Sequence, residues 1–165
     1  MFLTSICYIM IEIERKFLVN SNHYRKLASR KSVIIQGYLN SDPQRTVRVR
    51  LRDQIGYITV KGKSSDSGLS RFEWEKEISK PEAETLLELC EKTIVSKTRF
   101  EVSVADHLFE VDEFVGPNKG LVIAEVELSF EDEEFSRPDW LGREVTGEKR
   151  YYNSSLSKQP FVSWE

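Results

Sequence analysis

The chain has 165 residues, 39% of them hydrophobic, with 24 Lys or Arg, 27 Asp or Glu and a formal net charge of −3 at pH 7. This length normally forms one domain with one core, and the lack of a basic surplus argues against a general nucleic-acid binder. The isolated residues Cys7 and Cys90 exclude a disulfide framework, and only two His are available for a zinc site. We therefore expect a cytoplasmic protein with a single domain over residues 10–165.

The opening segment MFLTSICYIM is apolar but meets Glu12 after only eleven residues. It is too short to span a membrane and has neither a basic region nor a cleavage-like pattern, so no membrane partner is expected. Met10 stands immediately before the first patterned strand. We therefore interpret residues 1–9 as an N-terminal extension from an upstream start codon.

Most of the sequence alternates apolar and polar residues with the period of two that is typical of β-strands. One α-helix is indicated at Ser79, Pro81 and Glu82, which form an N-cap, a first-turn proline and a capping box. A short helix is expected over residues 22–28 and a short turn over residues 138–143. Eight strands in adjacent hairpins predict a mainly β (α+β) fold, an antiparallel sheet closed into a barrel or strongly bent, with a few helices outside. The predicted strands cover residues 11–19, 33–40, 45–52, 56–63, 70–78, 97–104, 107–114 and 121–130.

Charged residues occupy one face of strand after strand, and apolar residues occupy the other. Arg48, Arg50 and Arg52 share a face in the segment TVRVRLR, and acids occupy the matching face of RFEWEKEI. In a single strand, the wet face of an ordinary antiparallel sheet would give the same alternation. Surface strands, however, usually mix uncharged polar residues with both charges. The repetition therefore favours a closed sheet whose apolar faces point outward and whose charged faces line a lumen. Arg15 shares the apolar face of its strand with Ile13 and Phe17, so it should lie outside.

A lumen crowded with Arg and Lys requires anions, because unpaired buried charge is costly. Carboxylates in the same lumen offset part of that cost and supply oxygen ligands of the kind that Mg²⁺ or Mn²⁺ prefers. The pattern therefore predicts a metal-chelated polyanion such as a linear polyphosphate, with metal-assisted, electrostatic chemistry on its phosphoryl groups.

Several sequence motifs, taken in order along the chain, resemble those of a known protein family. IEIERKFLV at 11–19 resembles the ExExK signature of the CYTH domain, or triphosphate tunnel metalloenzyme, family. Eight further segments occur in the order and spacing of its short prokaryotic members, among them QGYL at 36–39, TVKGK at 59–63, FEVDEF at 109–114 and GLVIAEVEL at 120–128. The resemblance covers residues 10–158. It implies an eight-stranded antiparallel β-tunnel that binds a triphosphate and a divalent metal.

The resemblance also implies roles for individual residues. The implied metal-site carboxylates are Glu12, Glu14, Glu125 and Glu127, and the implied phosphate ligands are Lys16, Arg48, Arg50, Lys61, Lys63, Lys97, Arg99 and Arg150. Further tunnel acids are Glu73, Glu75 and Asp112. Lys16 and Tyr38 are the catalytic candidates; Lys16 is either a proton acceptor with a lowered pKa or a plain phosphate ligand, and Tyr38 is either catalytic or an ordinary strand aromatic.

Three functional hypotheses follow. The first is a divalent-metal-dependent enzyme that hydrolyses a small-molecule triphosphate, foremost inorganic triphosphate. The second is a class IV-type adenylate cyclase that converts ATP to cyclic AMP, although no adenine-recognition motif is visible. The third is a non-catalytic polyphosphate- or nucleotide-binding module, which the complete ExE and EVE pairs disfavour. The sequence leaves open whether the protein is a monomer or a homodimer.

Overall fold

Eight antiparallel strands form a closed barrel in the computed structural model, which describes residues 11–164. Around the barrel the strands follow the order β1-β5-β4-β3-β2-β6-β7-β8, and β8 pairs again with β1. Closure between β1 and β5 is made by Ile11 opposite Phe72 and Glu12 opposite Arg71. The predicted fold is thus confirmed, whereas the predicted extension at residues 1–9 lies outside the described residues. The strands are β1 (Ile11–Val19), β2 (Arg30–Asn40), β3 (Arg45–Arg52), β4 (Ile55–Gly62), β5 (Ser70–Ile78), β6 (Val95–Val104), β7 (His107–Phe114) and β8 (Val122–Glu127).

One helix covers part of the outer apolar surface. The helix α2 (Lys80–Glu88) begins with the predicted capping box between Ser79 and Glu82 and packs its Ala83 against Val49 and Leu51 of β3. Gly56 permits this close approach, because a Cβ at that position would lie 2.6 Å from the Ala83 Cβ. The remaining helices are short: α1 (Tyr24–Leu27), α3 (Asn153–Leu156), and 3-10 turns at Gly116–Asn118, Lys149–Tyr151 and Phe161–Ser163. Within residues 11–164 no helix has the length and apolar character needed to cross a membrane.

A ninth strand, β9 (Leu141–Glu144), replaces part of the turn predicted at residues 138–143. The turn itself is confined to the start of that range, where the Leu141 N–H donates to the Pro138 carbonyl at 2.9 Å. One edge of β1 is divided in two, with Ile11–Ile13 paired to β5 and Phe17–Val19 paired to β9. A four-residue strand carries too little alternation to be recognised from sequence, so this part of the prediction was wrong.

Apolar side chains pack on the outside of β1, where the sequence placed them. Phe17 is fully buried among Phe109, Trp140 and their neighbours. Arg15, on the same outer face, donates from Nε to Glu144 Oε1 at 2.8 Å, and its guanidinium lies 5.2 Å from the Phe135 ring centroid. The outward position of Arg15 is therefore confirmed, and the alternate residues of β1 face the interior.

Candidate active site

The inward faces of the strands enclose one central cavity of about 390 Å³. Eight Lys or Arg and nine Asp or Glu line it, because residues directly opposite each other on antiparallel strands point to the same side. In this way Lys16 meets Glu125, and Lys61 meets Glu73. The cavity is therefore a concentrated but balanced set of opposite charges in a confined space.

Most of the sequence-predicted site residues are brought together here. The cavity is lined by Glu12, Glu14, Lys16, Arg48, Arg50, Lys61, Glu73, Glu75, Lys97, Arg99, Glu125 and Glu127. Two predicted phosphate ligands lie elsewhere. Lys63 is exposed and faces a separate cavity of about 240 Å³ near the β4–β5 loop, and the Arg150 guanidinium stacks 3.9 Å from the Trp164 ring centroid. Their position gives no support to a phosphate-binding role for Lys63 or Arg150.

Several cavity residues were not assigned a role from the sequence. Arg71 is the most connected of them, since its Nε lies 3.1 Å from Glu12 and its Nη2 3.4 Å from Glu14. Its place on the charged face of RFEWEKEI was the available signal. His107 also lines the cavity, with its Nε2 3.0 Å from Glu133 Oε1. The others are Arg52, Asp106, Leu108, Glu110, Ser129, Glu133 and Asn153.

Lys16 lies between two carboxylates. Its Nζ is 2.8 Å from Glu14 and 2.5 Å from Glu125. Burial acts to lower the pKa of Lys16, but the carboxylates of Glu125 and Glu14 outweigh it and raise this pKa above the ordinary lysine value. Its backbone is also fixed, because the Lys16 N–H donates to Thr146 Oγ1 at 3.0 Å and its carbonyl accepts from Val145 at 2.8 Å. A protonated, immobilised Lys16 is better suited to binding phosphate than to accepting a proton.

Asp112 lies in the barrel wall between two buried cations. It is 1% exposed and accepts a bidentate pair from Arg99, with both N–O distances at 2.7 Å, as well as a hydrogen bond from Lys97. Burial lowers the pKa of Lys97 to about 8, despite the opposing effect of Asp112. Burial alone would raise the pKa of Asp112, but Arg99 and Lys97 hold it below its ordinary value. Asp112 is therefore a fixed anion that supports two phosphate-binding candidates.

Arg48 and Arg50 share a single carboxylate. Glu75 lies 3.3 Å from Arg48 Nη2 and 3.1 Å from Arg50 Nη2, and it also accepts from Thr59 Oγ1 at 2.7 Å. Burial, together with the neighbouring charge of Arg48, lowers the pKa of Arg50 to about 10. Two guanidinium groups with one shared carboxylate leave positive charge at this wall, which favours an anionic ligand.

Tyr38 lines a small chamber that adjoins the central cavity and shares Lys16, Arg48 and Arg71 with it. The side chain is buried, and burial raises the pKa of the phenol. Tyr38 is thus a neutral hydroxyl at physiological pH that can donate or accept a hydrogen bond beside the basic residues. Its catalytic role stays a prediction.

A group of carboxylates faces Glu127. Burial raises the pKa of Glu127, and the charges of Glu12, Glu73, Glu110 and Glu14 raise it further. Among residues 11–164 no three acidic, His or Cys side chains converge into a ready-made metal site. Mg²⁺ commonly uses only one or two carboxylates together with substrate phosphates and waters. Crowded carboxylates at this wall therefore fit a hard divalent cation, which would relieve their mutual repulsion.

This fold and cavity define a class of protein: a closed antiparallel barrel whose interior is lined by matched cations and carboxylates. The CYTH domain family model matches residues 10–160, and the chain belongs to that family. It is 49% identical over 156 residues to an inorganic triphosphatase of Acetivibrio thermocellus, covering 93% of this chain and 97% of the relative. It is 40% identical over 153 residues to an inorganic triphosphatase of Nitrosomonas europaea, covering 90% and 97%. The crystal structure of an inorganic triphosphatase superposes with a TM-score of 0.62 at 34% identity, covering 88% of this chain and 93% of that chain.

Proposed function

We propose that this protein is a divalent-metal-dependent hydrolase that cleaves inorganic triphosphate inside its central cavity. The observation that carries the proposal is the convergence of eight Lys or Arg with nine Asp or Glu in about 390 Å³. A cavity of this size is at the small end of ligand sites and has almost no apolar lining for a larger organic group. The inorganic triphosphatases at 49% and 40% identity support the same substrate.

Substrate binding would exchange one set of ion pairs for another. Lys16, Arg48, Arg50, Lys61, Lys97 and Arg99 are held by carboxylates in the structure. Phosphate oxygens can take the place of the more exposed of these carboxylates, such as the shared Glu75, whose side chain is 28% exposed. Cations that are already positioned stabilise the charge that develops on the phosphoryl group, and this is the main catalytic device in phosphoryl transfer.

Glu12, Glu14, Glu125 and Glu127 would hold Mg²⁺ or Mn²⁺. When bound, such an ion neutralises charge on phosphate oxygens and makes water more acidic. In the reaction, a water oxygen adds to a terminal phosphorus, the bridging P–O bond breaks, and orthophosphate and pyrophosphate are released. Lys16 remains protonated and holds phosphate, while a cavity carboxylate receives the proton of the water.

The proposal is tested by presenting the purified protein with inorganic triphosphate, ATP, thiamine triphosphate and pyrophosphate, each with titrated Mg²⁺ or Mn²⁺. Ion chromatography should show inorganic triphosphate converted fastest, to orthophosphate and pyrophosphate, with no activity in EDTA. Formation of cyclic AMP from ATP as the main reaction would instead indicate a cyclase. Tight triphosphate binding without phosphate release in either metal would indicate a binding module.

Lys97 should set the alkaline limit of activity. Its pKa of about 8 means that the free protein loses this positive charge as the pH rises through 8, and kcat/KM reports the ionisation of the free enzyme. We expect kcat/KM to fall above about pH 8, and Lys97→Arg, which stays charged, to move that fall to higher pH. Lys76→Arg, the same change on an exposed outer residue, should leave the profile unchanged. An identical alkaline limb in Lys97→Arg would contradict the assignment.

Deprotonation of Lys97 should lower activity as the pH rises, but its effect on the free energy of unfolding has the opposite sign. The folded pKa of Lys97 lies below its ordinary value of 10.5, so the unfolded chain binds more protons between these two values. The contribution of Lys97 to the free energy of unfolding should therefore increase with pH through this window. Comparing the urea-unfolding curves of the wild type and Lys97→Arg across the window measures this contribution separately from activity.

A further inference from the structure

Gln36 is a fully buried polar residue on the inward face of β2. Its Cα partners are Arg50 on β3 and Val95 on β6. Because opposite residues share a face, the Gln36 side chain lies on the same side of the sheet as Arg50, which lines the central cavity. The next inward residues along the strand are Ile34 and Tyr38, and both are buried. Gln36 thus lies in the wall that carries the arginines.

Neither amide atom of Gln36 has a hydrogen-bond partner among the described residues. The side chain is 0% exposed, and both its Nε2 and its Oε1 are unpaired. A buried amide without partners destabilises the folded state. Ile34, two residues away on the same face, is also 0% exposed, which shows that an apolar side chain suits this wall. Stability alone would therefore favour an apolar residue at position 36, and departures from packing rules of this kind cluster at functional sites.

In the part of the chain that the structure describes, two neighbouring guanidinium groups each have an Nε–H without a hydrogen-bond acceptor, whereas Gln36 has a free acceptor oxygen. The Nε atoms of Arg48 and Arg50 are buried and have no acceptor among the described residues. Their Nη2 atoms are both held by Glu75. A guanidinium that turns from Glu75 towards a phosphate needs a fixed acceptor for its Nε–H in order to keep one orientation. Gln36 is the register partner of Arg50, and its Oε1 is an uncharged acceptor of this kind that does not compete with phosphate for the positive charge.

We propose that Gln36 is a positioning residue whose amide oxygen accepts from the Arg50 Nε–H and aims the guanidinium at the bound polyanion. This inference rests on the proposed function and deepens it. Gln36 itself does not touch the reacting atoms. Its role is to select, among the orientations open to Arg50, the one that places the Nη atoms on phosphate oxygens.

The first test is Gln36→Leu, which keeps the approximate shape and removes both polar atoms. The melting temperature should stay the same or rise, since an unpaired buried amide is removed. We expect kcat/KM for inorganic triphosphate to fall about 10- to 100-fold, the usual effect of losing a hydrogen bond to a charged group, mainly through a higher KM. Gln54→Leu, the same change at an exposed residue, serves as the matched control. Gln36→Met is the second variant if the leucine protein does not fold.

The second test is a double-mutant cycle with Arg50→Lys, which keeps the positive charge but lacks the Nε–H. In that background Gln36→Leu should lower kcat/KM by less than about twofold, because the residue it acts through has been removed. Unchanged kcat/KM in the single variant would overturn the proposal. So would an effect of the same size in both backgrounds.

Failure of this inference is distinguishable from failure of the proposed function. If the wild type turns over inorganic triphosphate and Gln36→Leu does so equally well, only the role of Gln36 is overturned. If the wild type releases no phosphate, the proposed function is contradicted. In that case the double-mutant cycle is measured as the affinity for inorganic triphosphate, by calorimetry in EDTA. Gln36→Leu should weaken binding by the same factor, and its effect should again be non-additive with Arg50→Lys.

Discussion

Asp112→Asn is expected to lower the free energy of unfolding by about 3–5 kcal/mol, the usual cost of leaving a buried charge without its partner. The asparagine keeps the shape of the side chain, so lost packing does not contribute. Asp112 is held by two N–H donors of Arg99 and one of Lys97, and without its charge Lys97 loses its ion pair and Arg99 keeps only Glu110 and Glu125. Such a loss is a large fraction of the 5–15 kcal/mol that a domain typically has. Urea denaturation at neutral pH measures it.

Glu113→Gln is the matched control on the adjacent residue of the same strand. Glu113 faces outward and pairs with the exposed Arg25, so its loss should cost less than about 1 kcal/mol. Inorganic triphosphate in EDTA should raise the melting temperature of Asp112→Asn more than that of the wild type, because the ligand supplies negative charge to Lys97 and Arg99. Equal destabilisation by both substitutions would show that Asp112 is not the buried counter-ion described here.

The strands were predictable because their alternation is long and their ends carry turn residues. The bounds of β1, β3, β5 and β7 agree with the predicted ranges 11–19, 45–52, 70–78 and 107–114. The strand β9 was not predictable, because its four residues become a strand only where β1 leaves part of its edge free. The same limit applies to Lys63 and Arg150, which lie beyond the ends of strands, where a period of two no longer determines direction.

The sequence predicts which side chains point into the barrel, but it does not predict which of them form ion pairs across the cavity. Alternation places Glu12 and Lys61 on inward faces, yet the 2.7 Å contact between them depends on how the barrel closes. Lys16 shows the consequence. Nearby cations in the sequence suggested a lowered pKa, whereas the register places Glu14 and Glu125 beside it and raises that pKa. The alternation of RFEWEKEI puts Arg71 on the same face as its acids, but only the structure shows that it joins Glu12 to Glu14.

Glu127→Gln is expected to reduce kcat/KM for inorganic triphosphate by about 10²–10³-fold, on the scale of losing one preorganised electrostatic group, because a metal-site carboxylate is removed. In EDTA the same change should increase stability. Burial and the four neighbouring acids raise the folded pKa of Glu127 above its ordinary value of 4.5. Its favourable contribution is therefore present below that value and is lost as the pH rises through the folded pKa, which leaves only repulsion at neutral pH.

Thermal melting with and without metal separates a metal-binding role from a structural one. The wild type should gain stability from Mg²⁺ or Mn²⁺ by mass action, whereas Glu127→Gln should start higher in EDTA and gain less. Glu134→Gln, at an exposed acid, should match the wild type in both conditions. Full activity in Glu127→Gln would remove this residue from the metal site. Lower activity combined with a lower melting temperature in EDTA would mean that Glu127 supports the fold, because relief of like-charge repulsion can only act in the opposite direction.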